Sequence, residues 1–256
     1  MAVDESILEA VGRGNVPPTL RLYGWHPLCL SIGYAQPASD VDQEQLSILG
    51  WEIVRRITGG RAILHTDELT YSVIGPYSEP RLAGSVLESY CCLSQALLAA
   101  LQLLNLPAQA LPKPQSPPAS GGQPEPICFE APSNYEITIN GKKLIGSAQA
   151  RKKAGVIQHG TLPLRGDLTR ITQVLAFPDE ASRSQAAKRL LAHAATVESV
   201  TGNRVSWEEA ASAFSTAFSQ TLNLTLEPAK LTPAELARTD ELVKEKYAHP
   251  SWTERI

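Results

Sequence analysis

The sequence predicts an α+β fold in which a mainly antiparallel sheet is flanked by helices. Short segments with alternating apolar residues are frequent before residue 165, and an Asn140-Gly141 dipeptide joins two of them as a strong hairpin signal. Long helical patterns follow after about residue 178. Because tight turns join antiparallel strands and the late helices must pack on that sheet, this order of elements indicates an α+β plan.

The elements before residue 107 follow from apolar spacing. Two short strands around a proline-containing turn are predicted within residues 19–34, where apolar residues alternate on both sides of the turn. A helix over residues 40–49 and a strand over residues 51–56 come next. The clearest helix covers residues 85–106, because leucines recur at helical spacing and Pro107 ends the pattern.

The segment 107–126 is rich in Pro, Ser, Gly and Gln, and such a segment cannot pack a core of its own. We therefore predict a mobile loop there. Strand patterns resume at residues 135–150 and 156–164, and helical patterns then cover residues 181–200, 206–222 and 232–247. We expect residues 1–256 to form a single domain that carries this loop.

Charge and composition exclude several function classes. The formal net charge is -3, with 43% hydrophobic and 19% charged residues, so nothing points to nucleic-acid binding. The five histidines, at positions 26, 65, 159, 193 and 249, form no HxH or HxxxH pattern, so we expect no metal site. The first residues do not resemble a signal peptide, and no segment reaches the roughly 18 apolar residues of a membrane span. A cytoplasmic protein without membrane contact is expected.

The first segment that could carry chemistry is RRITGGRAILH, residues 55–65. Its two glycines would let backbone approach a ligand closely, and its arginines could bind phosphate or carboxylate. The spacing fits equally well a surface hairpin with solvated arginines. Residue spacing alone leaves both interpretations open.

The second segment covers residues 142–153 and contains five basic residues and no acidic one. Such a patch would attract an acidic partner, although a solvated basic edge is the simpler interpretation for Arg151, Lys152 and Lys153. Lys143 and the Gly146-Ser147 pair differ, because they lie where a strand meets small residues. An ammonium and exposed backbone N–H groups there could stabilise an oxyanion.

The third segment contains Cys128. Cys29, Cys91 and Cys92 lie in apolar strand or helix patterns and are expected to be small buried hydrophobes, whereas Cys128 stands between a Pro-rich loop and a Pro-Ser turn. An accessible thiolate is a competent nucleophile, and a nearby cation such as Lys143 would favour it over the thiol. A dyad of Cys128 with His65 or His159 is an alternative that the sequence leaves open.

These segments, taken together and in this order, resemble the lipoate–protein ligase and octanoyltransferase family, whose class II synthetase-like fold is shared with biotin–protein ligases. RRITGGRAILH resembles its Arg-Arg, Gly-Gly, Ala, His signature, KKLIGSAQ its Lys and Gly-Ser-Ala motif, and IQHGTLPL the strand that follows. CFEAPSNYE places Cys128 where the ligase-like octanoyltransferase branch has its acyl-accepting cysteine. The TGGRA sequence, in place of a three-glycine run, also favours that branch.

The resemblance implies that Cys128 and Lys143 are catalytic. It implies substrate binding by Arg56, Thr58, Gly59, Gly60, Arg61, Ala62, His65, Gly146, Ser147, Ala148, Gln149, His159 and Gly160. Backbone near Gly146, Ser147 and Ala148 would bind the oxyanion, and the glycine pair with apolar neighbours such as Ile63 would wall an acyl tunnel. His159 would line the site without taking part in catalysis.

The resemblance further implies a monomeric enzyme without cofactor. It would take octanoate from octanoyl-acyl carrier protein and pass it to a lysine of a lipoyl domain or of the glycine-cleavage H protein. An ATP-dependent lipoate–protein ligase is the first alternative. An amidotransferase that moves lipoyl groups between proteins and a non-catalytic protein that binds a lipoyl protein or an acyl ligand are the others.

Overall fold

The computed structural model describes residues 1–111, 127 and 136–256. Cys128 and residues 112–126 of the predicted loop therefore lie outside the described residues. The described strands are β1 Thr19–Tyr23, β2 Cys29–Ile32, β3 Glu52–Arg55, β4 Ile63–His65, β5 Glu68–Gly75, β6 Gln109–Leu111, β7 Glu136–Ile139, β8 Lys142–Lys152 and β9 Gly155–Pro163. The described α-helices are α1 Ala2–Gly12, α2 Gln43–Ile48, α3 Val86–Leu103, α4 Glu180–His193, α5 Val197–Thr201, α6 Trp207–Thr221, α7 Pro233–Leu242 and α8 Pro250–Thr253.

Six strands form one antiparallel sheet in the order β1-β5-β9-β8-β7-β6. A second, three-stranded sheet has the order β3-β2-β4, with β2 parallel to β3 and antiparallel to β4. Together with the flanking helices, these sheets confirm the predicted α+β class with a mainly antiparallel sheet. The prediction of a loop from residue 107 is wrong at Gln109–Leu111, because these residues form β6, which pairs with β7.

Helices cover both faces of the large sheet. On one face, α3 and α6 contribute buried leucines and phenylalanines to a cluster that includes Tyr71 of β5. On the other face, α1 packs Ile7, Leu8 and Val11 against Ile74 and Ile157. Every residue of β9 is buried as a result, because neither face of this central strand reaches solvent.

Local signals place several elements. In α3, Ser85 accepts a hydrogen bond from the Glu88 backbone N–H while the Glu88 carboxylate accepts one from the Ser85 N–H, which satisfies two N–H groups at the helix start. Asn140 and Gly141 have φ values of 51° and 76°, as the two central residues of a type I′ hairpin turn require. The predicted helix and hairpin are thus confirmed.

Helix α3 is long and apolar enough to cross a membrane by its length and mean hydropathy, so the prediction that no segment could do so is wrong by that criterion, although polar residues such as Glu88 and Gln95 interrupt the apolar run. In the fold, its apolar face packs into the core. Leu93, Leu97 and Leu101 belong to the cluster that also contains Phe214 of α6. Packing of its apolar face into the core therefore accounts for the hydropathy of this helix.

Candidate active site

A cavity of ≈ 100 Å³ opens between the large and the small sheet. Seventeen residues line this active-site cavity: Met1, Tyr23, Trp25, Ser31, Arg56, Gly60, Arg61, Ile63, His65, Thr70, Lys143, Gly146, Ser147, Ala148, His159, Gly160 and Thr161. They come from separate stretches of the chain, and the two sheets bring them together. All three segments singled out in the sequence have residues described in or next to this cavity.

The Gly59–Gly60 turn is held from inside by Arg56. The Arg56 guanidinium donates hydrogen bonds to the carbonyls of Gly59 at 2.9 Å and Arg61 at 2.7 Å, and to the Ser31 carbonyl at 3.0 Å. Arg55 is also buried, and it donates to the carbonyls of Gly33 and Thr253. The interpretation of this segment as a surface hairpin with solvated arginines is therefore wrong, because both side chains hold backbone in place.

The pairing of strands β8 and β9 places the KKLIGSAQ motif beside the IQHGTLPL motif. Gly146, Ser147 and Ala148 lie opposite Thr161, Gly160 and His159, respectively. A Cβ on Gly160 would come within 2.5 Å of the Gly146 carbonyl oxygen and 2.6 Å of Ser147 Oγ, so only glycine allows this approach. Ser147 Oγ in turn shares a 2.7 Å hydrogen bond with the Tyr71 hydroxyl.

Lys143 enters the cavity from the start of β8. Its side chain is 3% exposed, and its Nζ lies 3.3 Å from Oε1 of Glu136. This carboxylate compensates in part for the removal of the ammonium group from water. The structure thus places a cation in the cavity wall, next to the strand that carries Gly146 and Ser147.

Two histidines line the cavity in different surroundings. His65 Nδ1 lies 2.5 Å from Oε1 of Glu68, and its Nε2 lies 2.8 Å from Oγ of Ser31. His159 Nε2 lies 2.7 Å from Oγ1 of Thr58. Burial disfavours the imidazolium and lowers the pKa of His159 to about 3. The negative charge of Asp4 acts in the other direction but does not offset the effect of burial.

We expect His159 to weaken the fold in acid. In the unfolded chain its imidazole has a pKa near 6.5, so between that pH and pH 3 the unfolded state binds more protons than the folded one. The free energy of unfolding should fall as pH drops through this window, by up to ~1.4 kcal/mol per pH unit from this residue. His159→Gln should show a flatter dependence in urea unfolding between pH 4 and 7; equal slopes would contradict the assignment.

Cys128 itself lies outside the described residues, but Ile127 is described. It is 1% exposed and forms a parallel β-bridge with Ala62, between the cavity-lining residues Arg61 and Ile63. The residue bonded to Cys128 is therefore anchored beside the cavity wall. The other cysteines differ: burial raises the pKa of the Cys29 thiol to about 12, whereas Cys91 and Cys92 are half-buried rather than buried as expected.

Most of the described residues predicted to bind substrate line the cavity. Four do not, namely Thr58, Gly59, Ala62 and Gln149. Gln149 instead donates to Gln158 at 3.0 Å, and Thr58 holds His159. Cavity residues absent from the sequence prediction are Met1, Tyr23, Trp25, Ser31, Thr70 and Thr161. These lie in ordinary strand and turn patterns, so no local signal distinguishes them.

Comparison with known proteins agrees with this geometry. Residues 1–219 match the family described as the lipoyl protein ligase A/B catalytic domain. A Kyrpidia tusciae protein named Octanoyltransferase LipM is 42% identical over 257 residues, covering 100% of this chain and 93% of its own. The protein of that name from Brevibacillus brevis is 40% identical over 258 residues, covering 100% and 94%. A chain from the structure of a bipartite lipoate protein ligase and its E2 lipoyl domain from Thermoplasma acidophilum has a TM-score of 0.79 and 26% identity, covering 100% of this chain and 91% of that one.

Proposed function

The chain belongs to the lipoyl protein ligase A/B catalytic-domain family, and from this premise we propose that it is an octanoyltransferase of lipoate biosynthesis. It moves an octanoyl group from a carrier thioester to a lysine of a lipoyl domain. The observation that carries the proposal is the match along the whole chain to relatives named octanoyltransferases. Octanoyl-acyl carrier protein is the proposed donor, and the enzyme acts as a cytoplasmic monomer.

The proposed reaction has two acyl transfers. In the first, the Cys128 thiolate attacks the octanoyl thioester, a new C–S bond forms, the carrier's own C–S bond breaks, and the departing carrier thiolate takes a proton from the Lys143 ammonium group. In the second, the amine of the target lysine attacks the enzyme thioester, an amide C–N bond forms, the C–S bond breaks to release the Cys128 thiolate, and the proton that the amine loses returns to Lys143. Conversion of a thioester to an amide is downhill, so neither ATP nor a cofactor is needed. Ping-pong kinetics follow from the covalent intermediate.

Lys143 and strand β8 support the chemistry of both steps. The buried Lys143 ammonium favours the Cys128 thiolate, because a nearby cation stabilises the anion. Strand β7 pairs with β8 only as far as Ile145, so within the described residues no strand covers that edge of β8 at Gly146 and Ser147. Backbone N–H groups at this edge are suited to bind the oxyanion of each tetrahedral intermediate.

Mass spectrometry of the intact protein tests the proposal. After mixing with octanoyl-acyl carrier protein, the wild type should gain the mass of one octanoyl group and lose it with hydroxylamine. The Cys128→Ser variant should gain no hydroxylamine-labile group. Absence of any adduct on the wild type would contradict the thioester route.

ATP-dependent ligation is the second candidate, because the superposing Thermoplasma structure is that of a lipoate protein ligase. A ligase would activate free lipoate or octanoate and would not need Cys128. ATP–pyrophosphate exchange that survives in Cys128→Ala would favour this candidate. Absence of exchange in both the wild type and Cys128→Ala would favour acyl transfer from a carrier thioester.

Part of the basic segment remains available for docking an acidic carrier protein. Arg151 donates to the carbonyls of Leu82 and Ser85, and Lys142 donates to the carbonyl of Leu191. Lys153 is exposed at the turn between β8 and β9, and the neighbouring Lys152 is half-buried, with its Nζ 4.8 Å from the centroid of the Tyr34 ring. Hydrogen bonds to neutral carbonyls leave the charges of Arg151 and Lys142 in place but hold their side chains on the protein, so we expect direct contact with an acidic partner mainly from Lys152 and Lys153.

Reversing both charges, Lys152→Glu with Lys153→Glu, should raise the apparent KM for octanoyl-acyl carrier protein about 10-fold and reduce its dependence on salt. The reason is that opposite charges accelerate encounter and like charges oppose it. Steady-state kinetics at low and high ionic strength measure both effects, with the double variant Lys230→Glu, Lys244→Glu at exposed positions outside the basic segment as the control of equal charge change. An unchanged KM would contradict the docking role.

A further inference from the structure

Two aromatic rings and three cations form a surface that the two acyl transfers leave without a role. The rings of Tyr34 and Trp252 meet edge to face, with their centroids 6.0 Å apart. Arg255 Cζ lies 4.1 Å from the Tyr34 centroid and 5.1 Å from the Trp252 centroid. Lys152 Nζ lies 4.8 Å from the Tyr34 centroid, and Lys246 Nζ lies 4.2 Å from the Trp252 centroid. These five residues form the Tyr34–Trp252 platform.

A buried arginine holds the two halves of the platform together. The Arg55 guanidinium donates to the carbonyls of Tyr34 at 3.3 Å and Gln36 at 2.5 Å, and to those of Trp252 at 3.1 Å and Thr253 at 2.6 Å. Trp252 Nε1 donates in return to the Arg55 carbonyl at 2.8 Å. Because one buried side chain joins two segments that are far apart in the sequence, the positions of both rings are fixed by the fold.

The platform carries an excess of positive charge. Lys246 is paired with the Glu5 carboxylate at 2.7 Å. Among the residues that the structure describes, Lys152 and Arg255 form no ion pair, and the exposed Glu254 pairs with neither of them. Two cations over aromatic rings therefore remain available to an anion from another molecule.

The Tyr34 hydroxyl responds to this charge. A hydrogen bond from Arg255 and the charge of its guanidinium lower the pKa of the Tyr34 phenol, and the charges of Lys152 and Lys246 act in the same direction. All three cations of the platform thus stabilise an anion at the same place. An anionic group of a partner would gain from the same arrangement.

The platform adjoins the glycine turn of the active-site cavity. Gly33, which precedes Tyr34, packs so closely on this turn that a Cβ would lie 1.9 Å from the Gly60 carbonyl oxygen. Gly60 in turn lines the cavity. A molecule bound on the platform would therefore lie next to the wall of the reaction site.

Distance distinguishes the two partners of the reaction. Lys152 follows the cavity residue Ala148 by four positions on β8, which corresponds to about 13 Å at ~3.3 Å per residue. An acceptor lysine has only a four-carbon stem, so its protein must lie close over the cavity. A phosphopantetheine arm is several times longer and has a phosphodiester anion at its base. The position and the charge of the platform therefore fit the carrier of the donor thioester.

We propose that the Tyr34–Trp252 platform docks the acyl carrier protein that delivers the octanoyl group; this inference rests on the proposed function. Its cations lie against the phosphodiester of the phosphopantetheine arm and the acidic side chains around it. The arm then passes the glycine turn and brings the thioester into the cavity. Opposite charges on the two proteins accelerate their encounter. The docking surface thus extends from Lys152 and Lys153 to Tyr34, Trp252 and Arg255.

Arg255→Glu tests the inference, because this side chain is exposed and the fold should tolerate its replacement. Formation of the octanoyl-enzyme, followed by intact mass, should slow at least about 5-fold with octanoyl-acyl carrier protein at low ionic strength, and less at high ionic strength. With octanoyl-pantetheine, which contains neither the phosphate nor the protein, the rate should stay within about 2-fold of the wild type. Lys230→Glu, at an exposed position between α6 and α7, is the matched charge control and should leave both rates near those of the wild type.

The ratio of the carrier-protein rate to the pantetheine rate decides the inference. A fall of at least about 5-fold in Arg255→Glu, with a smaller fall in Arg255→Gln, supports docking of the donor. An unchanged ratio overturns it. A larger loss in transfer from isolated octanoyl-enzyme to a lipoyl domain also overturns it, because the surface would then serve the acceptor. A wild-type protein that forms no octanoyl-enzyme with either donor would instead contradict the proposed function, and the docking inference with it.

Discussion

Replacing Cys128 by alanine is expected to abolish octanoyl transfer to a lipoyl domain. Without the thiol no enzyme thioester can form. The acceptor lysine would then have to attack the carrier thioester directly, with no acyl group held in place on the enzyme. We expect a fall of at least about 10⁴-fold in kcat/KM, as for other enzymes that lose their nucleophile. The measurement follows mass gain on the lipoyl domain with octanoyl-acyl carrier protein as donor.

Cys92→Ala is the matched control for this variant. Cys92 is half-buried in α3, its pKa is raised by burial, and it does not line the cavity. Its replacement should leave the transfer rate within about 3-fold of the wild type, since a helix-surface Cys→Ala change is small. Full activity in Cys128→Ala would contradict the covalent mechanism, and ATP-dependent ligation would then be the remaining candidate.

Replacing Lys143 by methionine is expected to have the second-largest effect. Methionine keeps most of the side-chain volume but removes the ammonium, so the Cys128 thiolate loses the cation that favours it. Transfer at pH 7 should fall by about 10²- to 10³-fold. The rate at which iodoacetamide alkylates Cys128 should fall in parallel, and raising the pH should restore part of both rates.

Lys142→Met provides the comparison within the same hairpin. Lys142 donates to the Leu191 carbonyl and does not line the cavity, so its loss should affect stability rather than alkylation. Parallel falls in transfer and alkylation for Lys143→Met alone would support its role at the thiol. If Lys143→Met lost transfer while Cys128 alkylation stayed at the wild-type rate, Lys143 would act on the substrate instead.

Local sequence patterns predicted many of the elements because each depends on neighbours along the chain. The Asn140-Gly141 turn requires two residues that tolerate positive φ, and the start of α3 requires a serine with a glutamate three positions later. Strand β6 was not predicted, because it depends on contact with another strand and not on its local sequence. Its residues lie in a Pro-rich segment, and only pairing with β7 makes them extended.

Several roles could not be predicted because they depend on contacts between distant segments. Arginines in the Gly-Gly motif suggested ligand binding, yet Arg55 and Arg56 also hold backbone carbonyls of β2, of the turn after it, of the glycine turn and of α8. The orientation of such side chains follows from which backbone carbonyls the fold leaves without partners. No local pattern contains that information.

The sequence alone determined the family, the α+β class and the order of the motifs that contain Cys128, Lys143 and Gly160, because these are properties of residue identity and spacing. Only the tertiary structure decided that Ser31, His65 and Glu68 form one hydrogen-bonded chain. Ser31 lies 34 residues before His65, and the antiparallel pairing of β2 with β4 brings them together. Long-range strand pairing sets such distances, and therefore the chemistry of buried polar groups depends on the whole fold.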